Sequence, residues 1–353
     1  MISTCEATAN IAVVKYWGKR DEKLILPTNS SLSFTMDDSL KTRTTVMFSD
    51  KFKADEFWLN GQKMDLADKD TAERVVQLDL VRKKAGIKEK AKIASINCFP
   101  TAAGMASSAA GLAALACAAS KAAGLELDGR ELSILARRGS GSACRSVLGG
   151  FVEWQRGEKA DGRDSYAVQH ANERHWPELR NVIAVVDAKK KKVSSRAGMK
   201  QTVANSPLYT ARLDYLPKLI EGMKKAVLGK DFPAFAELTM RESNNMHAVM
   251  LDTWPPITYL NDWSKEIMHG VIELNGETPI AGYTFDAGPN AHVYTTAKNV
   301  GKVKEMLSRI EGVNKIIECT VGAGPRYVDG HLIGGDGAII PHEFIEGKGI
   351  VVK

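Results

Sequence analysis

Short β-branched runs broken by turn residues dominate the first hundred positions. Residues 11–14 form one such run. After the turn signals Pro27, Asn29 and Ser30, the alternation Leu32, Phe34, Met36 predicts another strand. Residues 57–64 hold Asn60-Gly61 between apolar flanks, the strongest short hairpin signature in the chain. Val75, Val76, Leu78 and Val81 recur near helical spacing, which predicts a helix over 67–85 closed by Gly86. A strand-like run ends at Pro100, Gly104 punctuates a turn, and Ser107 and Ser108 open an alanine-rich helix stopped by Gly124. Asp128 and Glu131 make a capping box for the next helix, which Gly139 ends. Phe151–Trp154 reads as a strand and 156–164 as a polar surface loop.

The pattern changes near residue 180. An apolar run at 182–186 is followed by a four-lysine run at 189–192, by default a solvated face or a mobile loop. Helical patterns then cover 206–228, 231–250 (with Asp231 as N-cap) and 258–275. Strand-like segments at 280–285 and 291–296 flank Asp286-Ala-Gly-Pro-Asn290, and a helix over 302–310 and a strand over 315–320 follow. The expected division is therefore two domains, 1–180 and 181–353, in keeping with the length.

Composition narrows the class. Hydrophobic residues at 44% and charged residues at 25% describe a globular protein with a proper core. A net charge of +6 spread over 353 residues suits anionic small molecules better than nucleic acid, which calls for a concentrated basic patch. Five cysteines without a CxxC pair argue against a disulfide framework or a zinc site and fit a reducing compartment. No secretory pattern and no apolar run of membrane-spanning length is visible, so a cytoplasmic protein without membrane or nucleic-acid partners is expected.

Four segments carry candidate chemistry. The loop before Ser107 and Ser108 would present free amides and the positive end of a helix to phosphate oxygens; equally, small residues there let a buried helix pack tightly. Lys15, Tyr16 and Lys19, just after Asn10, either bind a polyanion or form a solvated strand end. In SGSACRSVLGG, Ser142 and Arg145 stand at i and i+3. A forked guanidinium beside hydroxyls suits a carboxylate or phosphate, and its alternative is pairing with a structural acid. Asp286 is either a carboxylate on a rigid strand end or a turn residue bonding nearby amides.

PTAAGMASSAAG resembles the phosphate loop of the galactokinase, homoserine kinase and mevalonate kinase superfamily. ATANIAVVKYWGKRDEKLILPTNSSLS, SGSACRSVLGGFVEW and FDAGPNAHVY narrow the resemblance to the mevalonate diphosphate decarboxylase family. It extends from the first strand to at least Tyr294, with Met105 in place of an expected leucine. The resemblance implies an α+β fold of two domains: an N-terminal half like ribosomal protein S5 domain 2 and a ferredoxin-like C-terminal half, with the active site between them. It implies ATP-dependent decarboxylation of mevalonate 5-diphosphate to isopentenyl diphosphate with Mg²⁺, by a homodimer.

On this reading Asp286 orients or deprotonates the 3-hydroxyl, Arg145 holds the C1 carboxylate, and Lys15 meets the transferred phosphoryl group. Asn10, Tyr16, Lys19, Ser140, Ser142, Ser195 and Met199 line the substrate pocket. Gly104, Ala106, Ser107 and Ser108 cradle the ATP phosphates, and Ser108 contacts the metal–phosphate group. No Walker lysine follows the loop, which excludes a P-loop NTPase signature. Two other readings stand beside this one. A sister kinase would phosphorylate mevalonate or its phosphate and stop, and a non-catalytic relative would only bind nucleotide or a protein partner.

Overall fold

The computed structural model describes residues 1–99, 107–186 and 192–352. In the N-terminal half a six-stranded sheet runs in the order Arg326–Tyr327, Ile2–Thr8, Lys41–Ser49, Lys90–Asn97, Glu56–Leu59, Gln62–Met64. The expected hairpin is its last pair: Phe57 faces Met64, with Asn60 and Gly61 at φ 49° and 78°, the left-handed values that a tight two-residue turn requires. The alanine-rich helix Ser107–Ala122 lies on this sheet, and its small side chains let it sit close to Ile2–Thr8 and Lys41–Ser49. Close packing is thus one use of those alanines. The helix expected over 67–85 is two helices, Lys69–Arg74 and Gln77–Ala85, parted at the β-branched pair Val75-Val76. The capping box at Asp128 and Glu131 starts Gly129–Gly139 as the sequence predicts.

A second sheet, in the order Ala167–Ala171, Phe151–Trp154, Ser31–Thr35, Asn10–Val14, stands between the halves. The C-terminal half has an antiparallel four-stranded sheet, Ala281–Phe285, Ala291–Thr296, Leu179–Val186, Val313–Cys319. Helices Asp262–Asn275 and Val300–Ser308 cover one face through Ile267, Val271, Val303 and Leu307. The helix expected over 258–275 begins late because Asn261 caps it reciprocally with Ser264. The long helices Tyr209–Gly229 and Phe232–Leu251 cover the opposite face and meet the second sheet in one shared core. There Phe34 and Phe235 both pack on Tyr294, at ring separations of 4.9 and 5.3 Å. These are the two α+β halves that the resemblance implied, joined by a continuous apolar seam.

The chain does not end in the second half. Val321 bridges Met36, Gly322 donates its N–H to Thr35, and Arg326–Tyr327 joins the edge of the first sheet. Leu332 and Ile333 then bury against Ala94 and Ile96. The expected second domain of 181–353 makes no provision for this return. One polar anchor of this return is Glu6, a carboxylate 3% exposed that pairs with Arg43, Lys41 and Arg326. A buried acid needs such partners. All five cysteines are free and buried, and no helix among the described residues is long and apolar enough to cross a membrane.

The returning segment touches the body of the fold backbone to backbone. A Cβ on Gly149 would lie 2.3 Å from the Gly324 nitrogen. Gly149→Ala is therefore expected to lower stability by about 1–3 kcal/mol, the usual cost of overpacking, as a fall in urea midpoint. An unchanged midpoint would mean that the return of the tail is soft.

Candidate active site

The strand Asn10–Val14 slips register against Ser31–Thr35 between Ala12 and Val14, so the chain leaves the ladder just before Lys15. Lys15 is 1% exposed, and its Nζ lies 2.6 Å from Asp286 Oδ1. The first residue comes from the N-terminal half and the second from the end of Ala281–Phe285 in the other. The turn at Asp286 is made by backbone, Gly288 N–H donating to the Asp286 carbonyl at 2.8 Å. Its carboxylate is thus left for the lysine, and 36% of the side chain is open. Burial pushes the Asp286 pKa up, but the charge of Lys15, helped as the carboxyl titrates by His292 and Arg145, outweighs it and holds the carboxyl below its usual range.

Arg145 is 2% exposed at the end of the short turn Gly141–Cys144. Its Nε donates to Asn10 Oδ1 and Ser33 Oγ, both at 3.0 Å, and Nη1 to Ser31 Oγ at 2.6 Å. Among the described residues it has no carboxylate within ion-pair distance, so the structural-acid alternative fails. Burial without a counter-ion lowers its pKa. Ser31 and Ser33 are the polar half of the alternation that predicted a strand. They face this guanidinium and are 0% exposed.

The other expected substrate residues gather around this centre. Asn10 donates from Nδ2 to the Ser142 carbonyl (3.0 Å) and Ser146 Oγ (2.7 Å), tying the strand Asn10–Val14 to the arginine turn. Ser140 Oγ and Ser142 Oγ stand 3.4 Å apart. The Tyr16 ring lies edge-on against Trp154 at 4.7 Å; its hydroxyl has no hydrogen-bond partner among the described residues, and burial raises its pKa. Lys19 pairs with exposed Glu22. Ser195 begins the helix Ser195–Asn205, capped by Ser194, and Arg196 of that helix donates to the Gly139 carbonyl at 3.1 Å, beside Ser140. Met199 is buried with Trp17, Tyr259 and Ala287, the residue after Asp286. Gly18, at φ +129°, admits the Tyr209 hydroxyl, which donates to the Trp17 carbonyl at 2.7 Å; a Cβ there would lie 1.9 Å from that oxygen.

Of the phosphate-loop residues, Gly104 and Ala106 lie outside the described residues, as do 189–191 of the expected basic run. Ser107 begins its helix, and exposed Ser108 lines a cavity of about 120 Å³ with Phe57, Ile93, Asn97, Gly111 and Leu115. A larger open depression of about 410 Å³ around His170 and Arg174 holds none of these groups.

Sequence reasoning missed what surrounds the pair. Glu242 and Arg212, both 0% exposed, form an ion pair at 2.6 Å against the Lys15 backbone. His247 and His292 flank Lys15 and Asp286, with pKa values lowered to about 4 by burial, so both are neutral at pH 7. No motif signals Glu242, Arg212 or His247, and His292, although it falls within FDAGPNAHVY, reads there as an ordinary strand residue.

Comparison with known proteins gives the family. Residues 7–167 match the diphosphomevalonate decarboxylase-like N-terminal domain, and residues 181–313 match the mevalonate 5-diphosphate decarboxylase C-terminal domain. The diphosphomevalonate decarboxylase of Candida albicans is 47% identical over 91% of this chain and 96% of its own length. The chain belongs to the diphosphomevalonate decarboxylase family. The human relative is 44% identical over 95% of this chain and 96% of its own. Among solved structures, mevalonate diphosphate decarboxylase from Enterococcus faecalis superposes with a TM-score of 0.85 at 39% identity, covering 93% of this chain and 99% of that one. A structure of MDDEF in complex with MVAPP, AMPPCP and magnesium gives 0.86 at the same identity and coverage.

The Lys15 charge is what holds the Asp286 carboxyl down. In Lys15→Met burial wins, and the Asp286 pKa is expected to rise above the ordinary value of about 3.9, instead of lying below it. Carboxyl ¹³C NMR, assigned through Asp286→Asn, measures this. An unmoved titration would remove the ion pair as the cause.

Proposed function

We propose that this chain decarboxylates mevalonate 5-diphosphate at the expense of ATP, giving isopentenyl diphosphate, CO₂, phosphate and ADP. The observation that carries the reading is a buried arginine with only neutral partners beside a lysine–aspartate pair contributed by both halves. Family membership and relatives described with MVAPP and AMPPCP support the same substrates.

The difficulty of the reaction is a tertiary hydroxyl, a poor leaving group. Transfer of the γ-phosphoryl group to the 3-oxygen makes it a phosphate ester. The C3–O bond then breaks with release of phosphate, and the C1–C2 electron pair forms the C2–C3 double bond as CO₂ departs. Asp286 accepts a hydrogen bond from the 3-hydroxyl and points its oxygen at the phosphorus. With its pKa depressed it is a weak base, so its work is orientation first and proton acceptance second. Lys15, already 2.6 Å from Asp286, meets charge on the transferred group. Arg145 has Nη atoms left over for the C1 carboxylate, which neutralises a buried cation. Asn10 and Ser33 hold the guanidinium from behind, while Tyr16, Ser140, Ser142, Lys19, Ser195 and Met199 shape the rest of the pocket.

The nucleotide belongs at the start of Ser107–Ala122, with the base in the cavity beside Ser108. Among the described residues no three His, Cys, Asp or Glu gather to hold a metal. Mg²⁺, which would add charge neutralisation at the phosphates, therefore fits on nucleotide oxygens with the exposed Ser108 as a protein contact. A cytoplasmic homodimer completes the proposal; the five free cysteines accord with a reducing compartment.

The test is purified protein with ATP, Mg²⁺ and mevalonate 5-diphosphate, following CO₂ and isopentenyl diphosphate. A stable phosphorylated product without CO₂ would establish the kinase instead. Asp286→Asn is expected to reduce kcat by about 10³-fold with substrate KM changed little; near-normal turnover would remove Asp286 from the mechanism. Arg145→Lys keeps the charge but loses the fork, with an expected loss of about 10²-fold in kcat/KM. Retained activity would mean that two-point holding of the carboxylate is wrong.

A further inference from the structure

Lys15 has left the sheet, so its own N–H and carbonyl need partners in a place without water. The N–H donates to Glu242 Oε1 at 2.9 Å, and the carbonyl accepts from Asn29 Nδ2 at 2.9 Å. The next residue on the same helix, Ser243, is 0% exposed and accepts from the Phe285 N–H at 3.1 Å. Phe285 immediately precedes Asp286. One helical turn therefore grips both strand ends that carry the ion pair, each by the backbone amide at or next to the functional residue. Glu242 is itself locked by Arg212, whose Nη2 reaches Oε1 at 2.6 Å and whose Nη1 reaches Oε2 at 3.1 Å.

We propose that Glu242 and Ser243, with Arg212 behind them, are positioning residues that set the spacing of Lys15 against Asp286. The helix Phe232–Leu251 is the ruler: it belongs to the C-terminal half, is buried in the core shared by both, and fixes where the lysine of the other half stands. The inference rests on the decarboxylase reading for its rate measurements, but the geometry it describes has a readout of its own.

Two double variants isolate the acceptor while removing the buried charges together. Glu242→Gln/Arg212→Met keeps an oxygen for the Lys15 N–H, and Glu242→Leu/Arg212→Met removes it. The leucine pair is expected to lose about 30-fold more kcat than the glutamine pair, with KM for mevalonate 5-diphosphate alike in both. The ¹³C titration of Asp286 should also move upward only in the leucine pair, because a displaced Lys15 no longer holds the carboxyl down. Equal kcat and equal titration in the two would overturn the proposal. Should the leucine pair not fold, Glu242→Asp decides the same question. It keeps the charge pair but draws the oxygen back from the amide: a kcat about tenfold lower at unchanged KM supports positioning, and wild-type kcat refutes it. Ser243→Ala is expected to show the same kcat-only loss. If the wild-type chain itself releases no CO₂, the functional reading falls, while the Asp286 titration still tests the spacing.

Discussion

A lysine with 1% of its surface exposed keeps almost no contact with water, and Lys15 meets that loss with a carboxylate from the other half of the molecule. The consequence is architectural. A pair at 2.6 Å assembled across two domains tolerates little relative motion, and the halves share a core in which Phe34, Tyr294 and Phe235 interlock. Separating the halves would leave a lysine and the Glu242–Arg212 pair facing broken partners.

Arg145 presents the opposite case. Among the described residues no anion lies within ion-pair distance of its buried cation, and three neutral oxygens from Asn10, Ser31 and Ser33 only partly replace water. The desolvation already suffered by this guanidinium depresses its pKa and makes an incoming carboxylate the natural fourth partner. A buried cation that lacks an anion points to a ligand; one that has it, such as Arg212, points to a scaffold. That contrast separates the two arginines more sharply than any motif.

Local signals were legible in the chain: the Asn60-Gly61 hairpin, the Asp128–Glu131 capping box, Asp231 before its helix and the Gly86 and Gly124 stops all follow from neighbours within a few residues. So were Lys15, Arg145 and Asp286, through motifs and resemblance. What stayed hidden depends on tertiary placement. Ser31 and Ser33 alternate with apolar residues as a solvent-facing edge would, yet their polar face meets Arg145 instead of water. Glu242 sits inside an amphipathic helix where a glutamate is unremarked, and only the slipped register at Val14 explains why an acid is needed there. The return of residues 321–345 to the first sheet has no local signature, because Glu6 and Arg326 are 320 positions apart.

The same geometry bears on how the reaction divides its labour. A carboxylate held below its usual pKa by Lys15 is a poor proton acceptor for an alcohol, and two neutral imidazoles nearby, His247 and His292, add no positive charge at pH 7. The site is therefore built to keep Asp286 ionised and fixed. Strong basicity would require the reverse: a more apolar setting and no lysine at 2.6 Å. Rate acceleration in such a site comes from holding the hydroxyl in line and meeting charge as it develops on the phosphoryl oxygens. Both tasks depend on distances of a few tenths of an ångström. The structure accordingly spends buried hydrogen bonds on the backbone of Lys15 and of Phe285 as well as on the Arg145 guanidinium.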